Sequence, residues 1–79
     1  MQVLFFGKIG EMLGRSVQID GAPASVAELR HHLAEQYPHA GAELLRPSLR
    51  ACVGDELVQD SFPLNGVGTV EFFPPLSGG

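Results

Sequence analysis

Gly78 and Gly79 close the run VEFFPPLSGG, and they are the residues whose type and spacing best fit chemistry in this chain. A chain end without Cβ atoms can thread a channel too narrow for any other residue and take backbone angles closed to them. Pro74 and Pro75 hold the approach extended, and six residues at roughly 3.3 Å each span up to about 20 Å, enough to carry the carboxylate clear of a domain surface. A free carboxylate is a poor electrophile, because its charge repels nucleophiles and oxide is a bad leaving group. The expected chemistry is therefore activation of the Gly79 carboxyl by another protein, for instance as an acyl-adenylate, followed by attack of a sulfur or nitrogen nucleophile. The alternative is an inert frayed terminus on a plain interaction module.

Side-chain catalysis has little material. The chain carries no Ser/His/Asp set, no CxxC and no recognisable carboxylate pair. Its single cysteine, Cys52, cannot form an internal disulfide and sits in a strand-like stretch, so a structural role is expected. His31 and His32 are adjacent and point about 100° apart on a helix. His31 and Glu35 could grip a metal at i, i+4, but a solvated helix face is the expectation, and no metal site is assigned. The segment GKIGEMLG lacks the GxxxxGK[ST] spacing of a phosphate loop, so the chain is not expected to bind ATP itself.

Composition narrows the partners. With 79 residues, 44% hydrophobic and 18% charged, the chain describes one small domain that hides about 60% of its unfolded surface. A formal net charge of −4, with the basic residues scattered along the sequence, argues against nucleic acid. That acidity would suit a partner with a basic docking surface. No apolar run approaches a membrane span and no secretory leader opens the chain, so the cytoplasm is the expected compartment.

The elements that must position the terminus follow from periodicity. Strands are expected at Gln2 to Phe6 and Arg15 to Asp20, with Ile9, Met12 and Leu13 between them folding back as a short lid on the core. Ser25 and Glu28 form a capping box for one helix from Ser25 to Gln36, whose stripe is Val26, Leu29, Leu33 and Tyr37 and which Pro38 ends. Leu44 and Leu45 should anchor a short turn. Strands follow at Leu49 to Val53 and Glu56 to Val58, joined at Gly54 and Asp55, and at Thr69 to Phe73 after a turn at Asn65 and Gly66.

One helix between a leading hairpin and three later strands packs economically as an α+β, β-grasp (ubiquitin-like) fold. A mixed sheet of about five strands wraps the helix, and the first and last strands run parallel. The domain is expected at 1–73, with an extended tail at 74–79. Alternation turns Val3, Phe5, Val17, Ile19, Ala51, Val53, Val70 and Phe72 toward the helix. Leu4, Phe6, Cys52 and Phe73 then point away, where no second layer is left to cover them. That exposed apolar patch predicts a protein-binding surface.

VLFFGKIGEMLG at the start, SVAELRHHL in the helix and FFPPLSGG at the end resemble the small subunits of molybdopterin synthase. The resemblance spans essentially the whole chain, and the FFPP-x-[ST]-GG ending is its specific part, since diglycine alone would also suit ubiquitin or the thiamine sulfur carrier. It implies a sulfur carrier of molybdenum cofactor biosynthesis, acting as the sulfur-donating subunit of a sulfurtransferase with no catalytic side chains of its own. A ubiquitin-activating-type enzyme would use ATP to adenylate Gly79, and a sulfur donor protein would convert it to a thiocarboxylate. The tail, with Gly78 as its slender neighbour, would enter the molybdopterin synthase large subunit of a heterotetramer and deliver sulfur to cyclic pyranopterin monophosphate. Phe6 and Phe73 match family positions that pack on that subunit, with Leu4, Pro74, Pro75 and Leu76 expected beside them. Two departures stand out: Gly10 occupies a position where relatives often carry arginine, and Val53-Gly54 replaces Val-Asn.

Overall fold

A computed structural model describes residues 1–75. The elements in order are β1 (Gln2–Phe5), α1 (Lys8–Leu13), β2 (Ser16–Gln18), α2 (Val26–Gln36), a 3-10 turn (Pro38–Ala40), α3 (Gly41–Leu44), β3 (Arg50–Val53), β4 (Glu56–Val58) and β5 (Thr69–Phe73). The sheet order is β2-β1-β5-β3-β4. β1 and β5 pair in parallel at its centre, with Val3 opposite Val70 and Phe5 opposite Phe72, while every other pair is antiparallel. This is the β-grasp arrangement, and the parallel centre exists because α2 supplies the long crossover that parallel pairing demands.

The core follows the alternation. Val3, Phe5, Val70 and Phe72 are buried beneath Val26, Leu29 and Leu33 of α2. The Phe5 and Phe72 rings stack with centroids 6.0 Å apart, and each buried side chain of this size contributes about 1.5–3 kcal/mol. Ser25 caps α2 by accepting a hydrogen bond from the Glu28 amide. At the β3–β4 hairpin Gly54 and Asp55 both take positive φ, 57° and 68°, and Val53 pairs with Glu56 across the two-residue turn. Positive φ at both central positions makes the turn twist with its strands, and aspartate tolerates it better than most side chains.

Several boundaries and one segment differ from the sequence expectation. β1 ends at Phe5, β2 is the three residues Ser16–Gln18, and β3 begins at Arg50. Residues 8–13 are a helix, formed despite two flanking glycines because Ile9 is buried, with Met12 and Leu13 packed against the core. Leu44 is buried as expected, but Leu45 is 44% exposed: α3 ends at Leu44 and turns the next side chain outward.

Arg30 lies on the buried stripe of α2, where charge is not expected, and it is only 5% exposed. Its Nε donates to Asp60 Oδ1 at 2.9 Å, Nη1 donates to the Leu44 and Arg46 carbonyls at 2.9 and 3.2 Å, and Nη2 donates to the Leu49 carbonyl. The guanidinium also stands 5.3 Å from the Phe72 ring centroid. A planar five-donor fork can satisfy carbonyls that no apolar side chain could, and a cation over a ring face is attracted to it. Arg30 thus fastens the connection between α3 and β3 to the main helix and sets where β3 meets β5.

Candidate functional site

The side of the sheet away from α2 carries no second layer among the described residues. On β1 and β5 the outward positions are Leu4 and Glu71, which are Cα partners, and the next outward pair beyond them is Phe6 and Phe73. The rings of Phe6 and Phe73 stack at 4.5 Å with planes 3° apart. Phe6 is 40% exposed, while Leu4, Cys52 and Phe73 are half-buried. All four residues assigned outward by alternation therefore occupy this face.

The hairpin register adds residues that sequence reasoning did not single out. Cys52 pairs with Leu57, so Leu57 joins the same face and is 60% exposed. Arg50 pairs with Phe73. A groove opens between these strands and the diproline, walled by Pro47, Cys52, Leu57, Phe73, Pro74 and Pro75. The signal for Leu57 was present in the two-residue Gly54-Asp55 turn, which fixes what stands opposite Cys52. The patch is also less uniformly apolar than expected, because Glu71 sits between Leu4 and Cys52.

The root of the tail is held by shape. Gly7 has φ +74°, and a Cβ built there would stand 2.7 Å from Pro74 Cγ. Only a residue without a side chain lets Pro74 settle against the turn between β1 and α1. The amide of Phe6 donates to the Phe72 carbonyl at 3.0 Å, which carries the β1–β5 pairing one residue past β1 and sets Phe6 beside Phe73. Pro74 is half-buried and Pro75 is exposed. Leu76, Gly78 and Gly79 lie outside the described residues.

Other candidate chemistry stays apart. Burial raises the Cys52 thiol pKa, Glu71 and Asp55 push it further the same way, and Arg50 opposes them more weakly. A raised thiol is a poorer nucleophile at neutral pH, which favours the structural role. His31 and Glu35 are both exposed on α2, and among the described residues no three His, Cys, Asp or Glu side chains converge as a metal site. Nor is any helix among these residues long and apolar enough to cross a membrane.

At Gly10 a Cβ would lie 2.9 Å from the Phe5 carbonyl oxygen. Here α1 sits against β1 too closely for a side chain.

Comparison with known proteins agrees with this geometry. The model of the ThiS family matches residues 3–79. The molybdopterin synthase sulfur carrier subunit of Escherichia coli (strain K12) is 34% identical over 80 residues, covering all of this chain and 99% of that protein. The crystal structure of SAMP1 from Haloferax volcanii superposes with a TM-score of 0.80, covering 99% of this chain and 97% of that one. At 21% identity, that last likeness speaks for the fold alone.

Proposed function

Because the chain belongs to the ThiS family and is a ubiquitin-like sulfur carrier of that type, we propose that it serves molybdenum cofactor synthesis, with the Gly79 acyl carbon as its working group. The carboxylate attacks the α-phosphorus of ATP on an adenylating partner and expels pyrophosphate. Hydrosulfide delivered by the sulfur donor then attacks the acyl carbon, AMP leaves with the bonding electron pair, and loss of the sulfur's proton gives the thiocarboxylate. Within molybdopterin synthase the large subunit receives the tail, and the thiocarboxylate passes its sulfur to cyclic pyranopterin monophosphate. The side chains of this domain fold, dock and steer; none takes a proton or forms a bond.

The observation that carries this reading is the corner where Phe6 stacks on Phe73 and Gly7 seats Pro74. It sets the tail root beside an apolar face that a partner can cover, so docking and tail insertion become one event. Identity to the E. coli subunit along the full length of both chains favours this role over a thiamine-type carrier or a protein modifier. The supporting experiment is intact-mass analysis after incubation with ATP, the adenylating enzyme and a sulfur source. It should show one oxygen exchanged for sulfur, and no exchange with competent partners would overturn the assignment. Isopeptide-linked conjugates in place of pterin sulfuration would instead make the chain a modifier.

A further inference from the structure

The net charge of −4 suggests a basic partner, but the fold distributes that charge unevenly. Of the five Lys and Arg residues, Arg30 is buried and the other four are exposed. Three of them line grooves walled by the diproline, and the fourth lines a separate groove on the Phe6 side of the same corner. Lys8 and Arg46 face a groove walled by Pro74 and Pro75, Arg50 lines the apolar groove on the diproline's other side, and Arg15 lines a third beside Phe6.

The acids mostly stand elsewhere. By sheet register, Asp20, Asp55 and Glu56 lie at the end of the sheet opposite Phe73 and Arg50. Glu28 and Glu35 are on α2, on the covered side of the sheet, and Asp60 is engaged by Arg30. Glu71 is on the outer face, two residues back from Phe73 along β5. At the corner itself the acids are Glu11 and Glu43. Glu43 is shared, 3.5 Å from Lys8 Nζ and 3.4 Å from Arg46 Nη2, so one carboxylate faces two cations.

We propose that this cationic collar around the root of the tail docks on a partner whose tail-accepting channel is rimmed by Asp and Glu, and that this partner is the adenylating enzyme. The assignment rests on the carrier reading above. Four residues follow Pro75, and at roughly 3.3 Å each they place the terminal carboxylate up to about 13 Å beyond it. The collar therefore meets the mouth of the channel and not the reacting atoms. Its use is in encounter: a carrier must visit its activating enzyme anew for each sulfur, and opposite charges raise association rates more than they lengthen residence. Contact with the synthase subunit rests instead on the apolar face, where burial and not charge holds the complex.

The test is stopped-flow association of the full chain with the adenylating enzyme of the same organism, at 50 and 300 mM NaCl. The wild-type rate should fall about tenfold or more over that range, because screening shortens the reach of surface charge. The triple variant K8E/R46E/R50E should start about tenfold slower at low salt and depend little on salt. Arg50 makes no ion pair among the described residues, so R50E alone should lose about threefold with an unchanged melting temperature. D20K/E35K, on the far side of the molecule, should associate at the wild-type rate or faster. A triple variant as fast as wild type, a rate that rises on reversal, or no association at all overturns the collar. An enzyme that binds wild type with the expected salt dependence but forms no acyl-adenylate overturns the carrier reading while leaving the collar standing.

Discussion

Phe6, the residue just past the end of β1, and Phe73, the last residue of the parallel strand β5, stack with ring centroids 4.5 Å apart and planes nearly parallel, on the face of the sheet that no helix among the described residues covers. A ring pair in that geometry is worth about 0.5–1.5 kcal/mol, far less than either ring would gain by full burial. The pair is better placed to meet a partner than to hold the domain. Phe73→Asp should therefore weaken binding to the molybdopterin synthase large subunit at least tenfold, from about 1.5–3 kcal/mol of lost burial plus the cost of an enclosed charge. Calorimetric titration reads the loss, and thermal melting should show a much smaller change.

Arg30 makes the opposite prediction. Its guanidinium answers three backbone carbonyls and one carboxylate from within the core. Arg30→Leu would leave those carbonyls without donors and cost about 3–5 kcal/mol, a large share of the stability expected for so small a domain. Arg30→Lys should recover less than half, since an ammonium cannot span the fork. Asp60→Asn should cost about 1 kcal/mol or less, because Asp60 is exposed and water replaces the partner. Urea denaturation of the three variants gives this order, and an Arg30→Leu protein as stable as wild type would remove Arg30 from its role.

These two residues show what the sequence could and could not disclose. The outward face was legible because strand alternation has a period of two, and a single correct register at β1 and β5 sorts Leu4, Phe6 and Phe73 from Val3, Phe5 and Phe72. The parallel pairing was legible because α2 was long and capped by Ser25. Arg30 was not, because a helical stripe of Val26, Leu29 and Leu33 passes through position 30, and charge there reads as solvent-facing until its carbonyl partners, 14 to 19 residues away, are known. α1 was hidden by Gly7, Gly10 and Gly14, which argue locally against a helix that burial of Ile9 nevertheless enforces. The local charge at the tail root was equally hidden. It is assembled from positions 8, 15, 46 and 50, and only the fold brings them together.

Cys52 gives a pH prediction. Burial first, then Glu71 and Asp55, hold its thiol above the ordinary pKa. The proton is bound more tightly in the folded state than in the unfolded chain. This contribution to stability is complete below the ordinary thiol pKa and is lost as pH rises through the folded value. Wild type should lose stability relative to Cys52→Ser across that alkaline window. Alkylation of the native thiol at neutral pH should also be slower than that of the unfolded chain. Fast alkylation at neutral pH would contradict the assignment and reopen a nucleophilic role.

The close approach of α1 to β1 makes the last prediction. At Gly10 any Cβ meets the Phe5 carbonyl oxygen at 2.9 Å, a backbone atom that cannot swing aside as a side-chain tip could. Gly10→Ala should cost about 1–3 kcal/mol in spite of alanine's better helix propensity, because packing outweighs the roughly 1 kcal/mol that propensity offers. Gly10→Arg should be no more stable than Gly10→Ala, since the conflict lies at Cβ and not at the charged end. Displacement of α1 also moves Gly7, the seat of Pro74, so under the proposed carrier role both variants should slow sulfur transfer from the Gly79 end by more than they weaken binding of the Phe6–Phe73 face. Comparing chemical denaturation with single-turnover pterin sulfuration separates the two effects. A Gly10→Ala protein more stable than wild type would mean that α1 has room the structure does not give it.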